Sequence, residues 1–214
     1  MKNPFKRTQA DPPATTPPAA PIIVVSGLPR SGTSMMMKML DAGGVAPLTD
    51  ELRAADRDNP KGYYEFERVK QLDKGDTGWL PMARGKVVKV ISFLMQYLPG
   101  DETYQVIFLR RNLDEILASQ RKMLVNRGED PDQMDDEQVA AMFTRHIELV
   151  EKWLQRQPNI ETLYIPYNDV MANPVTQIEL ITRFLGRDLD QIAMAQVVDP
   201  SLYRNRQEPA EVAA

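Results

Sequence analysis

The stretch IIVVSGLPRSGTSMMMKML, residues 22–40, decides the fold. Ile22 to Ser26 make a short apolar, β-branched run that suits a strand buried on both faces of a parallel sheet. GLPRSGTS, Gly27 to Ser34, follows at once. From Ser34 to Leu40 the pattern predicts a helix, which Gly43 and Gly44 stop. Strand, loop and helix in this order build a site for an anion. Glycines at 27 and 32 let the backbone turn tightly, and amides near Ser31 to Ser34 point outward from the helix amino terminus. Arg30 adds a fixed positive charge. Met35 to Met37 and Met39 read as adaptable core filling.

The loop has the spacing of the nucleotide-triphosphatase pattern GxxxxGK[ST] except at Thr33, which stands where that pattern has its lysine. Such an enzyme also needs a carboxylate for magnesium near the end of a neighbouring strand. Here the apolar runs VVKVI, 87–91, and YQVIFL, 104–109, lead to Ser92 and Arg110, and Asp169 is separated from the run TLYIP by Pro166 and Tyr167. Arginine and backbone amides, with no metal, therefore form the expected site. A phosphotransferase with a divergent loop, borrowing Lys38 or Lys89, is the rival reading; a nucleotide-binding module without turnover is another.

Helical patterns separate the strand runs. One spans Leu113 to Val125. A longer one spans Asp135 to Gln157, with Val139, Met142, Phe143, Ile147, Val150 and Leu154 at helical spacing, and a third runs from Asn173-Pro174 to a stop at Gly186. Strands alternating with helices predict a three-layer α/β/α fold, P-loop-like, with a mainly parallel central sheet. The expected domain covers 21–207, behind a Pro-rich tail at 1–20 and before a flexible C-terminus at 208–214. The acidic segment GEDPDQMDDE, 128–137, reads as a solvated loop, with a lid over a site as the alternative.

Composition narrows the partners. The chain has 214 residues, 43% hydrophobic, which suits one domain. Its net charge of -4 and pI near 5.2 argue against a nucleic-acid binder or a general binder of anionic membranes. Cysteine is absent, which excludes disulfides, thiolate metal sites and a cysteine nucleophile. No run approaches the roughly 20 apolar residues of a membrane span, so stable membrane insertion is not expected. The amino terminus lacks the apolar segment of a secretory signal, and a cytoplasmic location is the default expectation.

Three segments together resemble the sulfotransferase family. PRSGTS, Pro29 to Ser34, is similar to the family's loop for a 5′-phosphosulfate; RNLDEILAS, Arg111 to Ser119, looks like its 3′-phosphate segment; YIPYNDVMANP, Tyr164 to Pro174, with FLGR, Phe184 to Arg187, is similar to its late strand, Tyr-x-Asp turn and terminal helix. The chemistry suits those residue types: arginine offers phosphate a rigid fork of donors, and a hydroxyl about two helical turns on adds one more. The alternative for Arg111 and Ser119 is a surface ion pair and a helix hydroxyl. Alternation sends the side chains of Arg110 and Arg111 to opposite faces, and the family's spacing selects Arg111.

The resemblance implies in-line transfer of a sulfonate from 3′-phosphoadenosine 5′-phosphosulfate to a hydroxyl or amine, without a metal. Pro29, Arg30, Ser31, Gly32, Thr33 and Ser34 would hold the donor's phosphosulfate, Arg111 and Ser119 its 3′-phosphate, and the late arginines Arg204 and Arg206 would close over it. Lys89 would reach the sulfonate. Cytosolic relatives carry a catalytic histidine in a Lys-Thr-His strand end, whereas this chain reads Lys89-Val90-Ile91-Ser92. Its sole histidine, His146, lies within the long helix and reads as packed or surface-bound. A carboxylate is the substitute, Glu51 or Asp50, with a helix-start carboxylate as the plain alternative. NPKGYYEFE, Asn59 to Glu67, resembles a segment of bacterial relatives, with Tyr63, Tyr64 and Glu65 as candidates to line an acceptor pocket. Small-molecule, carbohydrate, lipid and peptide acceptors all fit, and no oligomeric state is implied.

Overall fold

The computed structural model describes residues 19–50, 64–131 and 135–199. In chain order it contains β1 (Ile22–Gly27), α1 (Thr33–Ala42), α2 (Leu80–Ala83), β2 (Val87–Lys89), β3 (Tyr104–Arg110), α3 (Leu113–Asn126), α4 (Asp136–Leu154), β4 (Ile160–Pro166), α5 (Tyr167–Ala172), α6 (Pro174–Leu185) and α7 (Gln191–Val197). Two 3-10 segments, Glu67–Lys74 and Ser92–Tyr97, flank α2 and β2. The four strands form one parallel sheet in the order β2-β1-β3-β4. The three-layer α/β architecture follows from how the strands divide their side chains.

Alternation along β1 supplies both faces of the sheet. Ile22 and Val24 join a cluster with Trp79 of the turn before α2, Val88, Val106 and Phe108, capped by Val150 and Leu154 of α4. Ile23 and Val25 face the other way, onto Met36, Met37, Met39 and Leu40 of α1 and onto Ile178 and Ile181 of α6. All four β1 residues are fully buried, and each such side chain stabilises the fold by roughly 1.5–3 kcal/mol. The methionines of α1 are core filling in this second cluster, apart from the partly buried Met35. Among the described residues no helix is long and apolar enough to cross a membrane.

Local signals set the helix ends. The Asn112 side chain accepts from the Asp114 amide at 2.8 Å and starts α3. Pro174 stands at the start of α6, and Gly186, at φ 62°, ends it. The sequence run 87–91 becomes a strand only to Lys89. β2 is the outermost of the described strands, with Val87 bonded on its far side to Ala46 and Leu48; the Val90 amide still reaches the Val25 carbonyl at 3.0 Å, after which Ile91 turns into the 3-10 segment. The expected turn at Tyr167 to Asp169 is the short helix α5. Acidic residues Asp136 and Glu137, where the predicted helix 135–157 overlaps the acidic segment 128–137, form the first turn of α4, where carboxylates offset the helix dipole.

From β1 the chain passes to β2 on one side and then crosses to β3 on the other. The carboxyl ends of β1 and β3 therefore lie at the switch point of the sheet, where connections diverge and leave a crevice for a ligand.

Candidate functional site

The loop after β1 and the segment after β3 meet at this switch point. Gly27 has φ 148°, and a Cβ there would lie 2.5 Å from Ser31 Oγ and 2.7 Å from the Leu109 carbonyl oxygen. The turn closes through the Ser31 amide to the Leu28 carbonyl at 3.1 Å. Gly32 caps α1 at φ 100°, and a Cβ there would fall 2.4 Å from Tyr167 Cδ2. Only glycine fits. The amides that open α1 lie at its amino terminus, the end of a helix that favours an anion. Ser31 Oγ is buried and has no hydrogen-bond partner among the described residues, a state that an anion seated in the loop would relieve.

Arg30 is held at both ends. Its backbone lies in the left-handed region, at φ 69°, where a side chain costs roughly 1–2 kcal/mol. Its carbonyl accepts from Arg111 Nη1 at 3.0 Å, and its Nε donates to Ser119 Oγ at 3.0 Å. Arg111 is itself oriented from two sides. Its Nε donates to Glu115 Oε2 at 2.9 Å, an ion pair whose side chains are 8% and 1% exposed. Asn168 Nδ2 donates to the other Glu115 oxygen at 3.1 Å. The guanidinium carbon lies 4.3 Å from the centroid of the Tyr167 ring. Burial is the main reason the Tyr167 hydroxyl titrates above its ordinary value, so it stays neutral under this cation. Arg110 goes the other way, to Glu151 at 2.8 Å and over Tyr164.

Sequence reasoning missed Glu115, Asn168 and Tyr167 as supports. The Arg111–Glu115 spacing of one helical turn was a usable signal. Nothing local pointed to Asn168.

A second group gathers at the end of β2. Lys89 has a side chain 7% exposed, with Nζ 3.4 Å from Ser34 Oγ and 3.7 Å from Glu65 Oε1. Glu65 Oε2 is 3.3 Å from Lys70 Nζ. The Glu65 carbonyl accepts from Thr49 Oγ1 at 2.8 Å and from the Asp50 amide at 3.3 Å. Asp50 Oδ2 in turn accepts from the Glu67 amide at 2.6 Å, at the start of the first 3-10 segment. Tyr64 adopts φ 51° and turns towards α1, where its hydroxyl donates to Asp41 at 2.9 Å. Burial, and then Asp41, push that hydroxyl up to about 12.

His146 stacks on Phe93 with ring centroids 3.7 Å apart, and its Nε2 lies 2.9 Å from Ser92 Oγ. Burial pulls its pKa below the ordinary value. Arg30 of the loop thus meets Arg111 and Ser119, and Lys89 lies between Ser34 and Glu65, whose carbonyl accepts from Thr49 and the Asp50 amide. Glu51, Tyr63, Arg204 and Arg206 lie outside the described residues.

Comparison with known proteins gives one family. The family described as "Sulfotransferase domain" matches residues 20–210. Rat (Rattus norvegicus) sulfotransferase 1A1 is 23% identical over 199 residues, covering 87% of this chain and 67% of its own. Among solved structures, the sulfotransferase domain of a Synechococcus olefin synthase superposes with a TM-score of 0.54 at 16% identity, covering 92% of this chain and 91% of its own. A Mycobacterium tuberculosis sulfotransferase gives 0.55 at 18% identity, with coverages of 82% and 71%. A mouse sulfotransferase, solved in complex with PAP, gives 0.51 at 17% identity, with coverages of 89% and 68%. These likenesses establish the fold.

Proposed function

The chain belongs to the sulfotransferase domain family and is a sulfonate-transferring enzyme, and from that premise we propose that its donor is 3′-phosphoadenosine 5′-phosphosulfate. When bound, this nucleotide supplies the sulfonate and a bisphosphate leaving group. The observation that carries the reading is the joint between Arg30 and the α3 segment, 3.0 Å from Arg30 Nε to Ser119 Oγ and 3.0 Å from Arg111 Nη1 to the Arg30 carbonyl. An anion loop fused to a second arginine–serine pair suits a ligand with phosphates at two ends. The mouse relative solved with PAP supports the same nucleotide class.

In this reading the α1 amides and the Arg30, Ser31, Thr33 and Ser34 side chains hold the 5′ end, with Pro29 shaping the loop. Arg111 and Ser119 hold the 3′-phosphate, assisted by Arg204. Lys89 stands beside Ser34 to meet the sulfonate. Catalysis comes from positioning and from neutralising charge on the departing phosphate, with the protein contributing fixed cations and amides. The acceptor offers a hydroxyl or amine and belongs to the small-molecule, carbohydrate or lipid classes. Tyr64 and Glu65, with Tyr63, are the residues assigned to its pocket.

Calorimetric titration with adenosine 3′,5′-bisphosphate, in parallel with ATP plus magnesium, tests this. Tight binding of the bisphosphate, independent of metal and weakened in Arg30→Ala, is the expected result. Magnesium-dependent ATP binding with none of the bisphosphate would replace the proposal with a phosphotransferase.

A further inference from the structure

We propose that Glu65 takes the proton from the acceptor, and that Lys89 is the positioning residue that ties this carboxylate to the phosphate loop. The inference rests on the sulfonate-transfer reading above and adds to it the group that activates the acceptor. Lys89 carries the geometry: its buried ammonium is within 3.4 Å of Ser34 Oγ and 3.7 Å of Glu65 Oε1. One ammonium therefore spans the gap between the end of the anion loop and a carboxylate. A reacting hydroxyl seated against the sulfonate beside Ser34 and Lys89 has Glu65 next to it.

The backbone fixes that carboxylate in place. Tyr64, at φ 51°, turns the chain just before Glu65 and is held to α1 by its hydroxyl bond to Asp41. The Glu65 carbonyl is anchored by Thr49 and by the Asp50 amide, and the carboxylate is only 17% exposed. Its flanking cations, Lys70 at 3.3 Å and Lys89 at 3.7 Å, hold the carboxylate beside the end of the loop.

Asp50, one of the two candidates read from sequence beside Glu51, is differently engaged. Its Oδ2 accepts from the Glu67 backbone amide at 2.6 Å, which commits that oxygen to the chain at Glu67. Its structural task is to start the 3-10 segment.

The step balances. The acceptor O–H bond breaks, its proton goes to Glu65 Oε1, and its electron pair stays on the oxygen that forms the new bond to sulfur. The electron pair of the broken sulfur–oxygen bond leaves with the bisphosphate. Glu65, once neutral, releases Lys89 from the ion pair, and the ammonium is then available to the departing charge.

The test uses the full chain, with Glu65→Gln and Glu65→Asp beside wild type. Affinity for adenosine 3′,5′-bisphosphate is read by calorimetry. Turnover of 3′-phosphoadenosine 5′-phosphosulfate is read with water as acceptor and with a series of phenols of rising acidity, ending in a nitrophenol ionised at the assay pH. For Glu65→Gln the expected outcome is bisphosphate affinity within about twofold of wild type and a turnover loss of roughly 100-fold or more with water and weakly acidic phenols. That loss should shrink steadily towards the ionised nitrophenol, which has no proton to give. Glu65→Asp should recover part of the rate. Turnover within about threefold of wild type, or an equal loss for every acceptor, would overturn the proton-accepting role while leaving the donor assignment intact. Absence of bisphosphate binding by wild type would overturn the donor assignment and this inference with it.

Discussion

The ion pair between Arg111 and Glu115 offers the sharpest quantitative test of how the site is held. Glu115 is 1% exposed and Arg111 8% exposed at the side chain, so Glu115→Gln leaves a guanidinium in a poorly solvated position without its counter-charge. Breaking a buried pair from one side costs about 3–5 kcal/mol. Glutamine keeps one acceptor oxygen, so the lower end applies, about 3 kcal/mol. For a chain of this length each kcal/mol moves the melting temperature by roughly 2–4 °C, and the expected fall is roughly 6–12 °C by circular dichroism. Replacing both residues, Arg111→Met with Glu115→Met, removes charge and counter-charge together and should melt closer to wild type than either single change. A saturating phosphate ligand supplies a new counter-charge: bisphosphate at 100 times its Kd should return about 2.7 kcal/mol. A fall of less than about 2 °C in Glu115→Gln, or additive losses in the double variant, would refute the idea that this pair carries site geometry.

Gly32→Ala should reduce bisphosphate affinity at least about tenfold in calorimetry, because its Cβ meets the Tyr167 ring at 2.4 Å in a backbone region unsuited to side chains; wild-type affinity would contradict the packing. Ser119→Ala removes the partner of Arg30 Nε, and one hydrogen bond to a charged group corresponds to a loss of about tenfold or more for the bisphosphate, with less change for adenosine 5′-phosphosulfate; equal losses would detach Ser119 from the 3′ end. His146 has its folded pKa lowered by burial, so it contributes stability that is fully present above its unfolded value of about 6.5 and lost as pH falls through the folded one. Denaturant titrations at pH 5 and 8 should therefore show a smaller acid penalty in His146→Gln than in wild type; identical pH dependence would remove that residue from the account.

The parts legible in the sequence were those whose cause is local. The β-branched run at Ile22 to Val25, the glycines of the loop and the Pro174 and Gly186 punctuation each act over a few residues, and the resulting elements lie where those residues put them. Strand alternation also separated Arg110 from Arg111, which leave β3 towards Glu151 and the Arg30 carbonyl respectively. β2 was drawn too long because pairing, not residue type, ends a strand. α7 and the 3-10 segments are too short to show a period. His146 on Ser92, and Lys89 between Ser34 and Glu65, join residues from distant stretches of chain. Such meetings depend on the crossing of strands at the sheet's switch point, and no window along the sequence contains both partners.

The first of these strands to be synthesised ends up in the middle of the sheet. Ile23 pairs with Val87 on one side and Gln105 on the other, so β1 has no neighbour until much of the chain has left the ribosome. At about 5–20 residues per second, that wait is on the order of ten seconds. Throughout it, an apolar ribbon with both hydrogen-bonding edges bare is open to pairing with other nascent chains. The segment that seats the anion loop is thus also exposed to mispairing during translation, and slower elongation before Tyr104 lengthens that exposure.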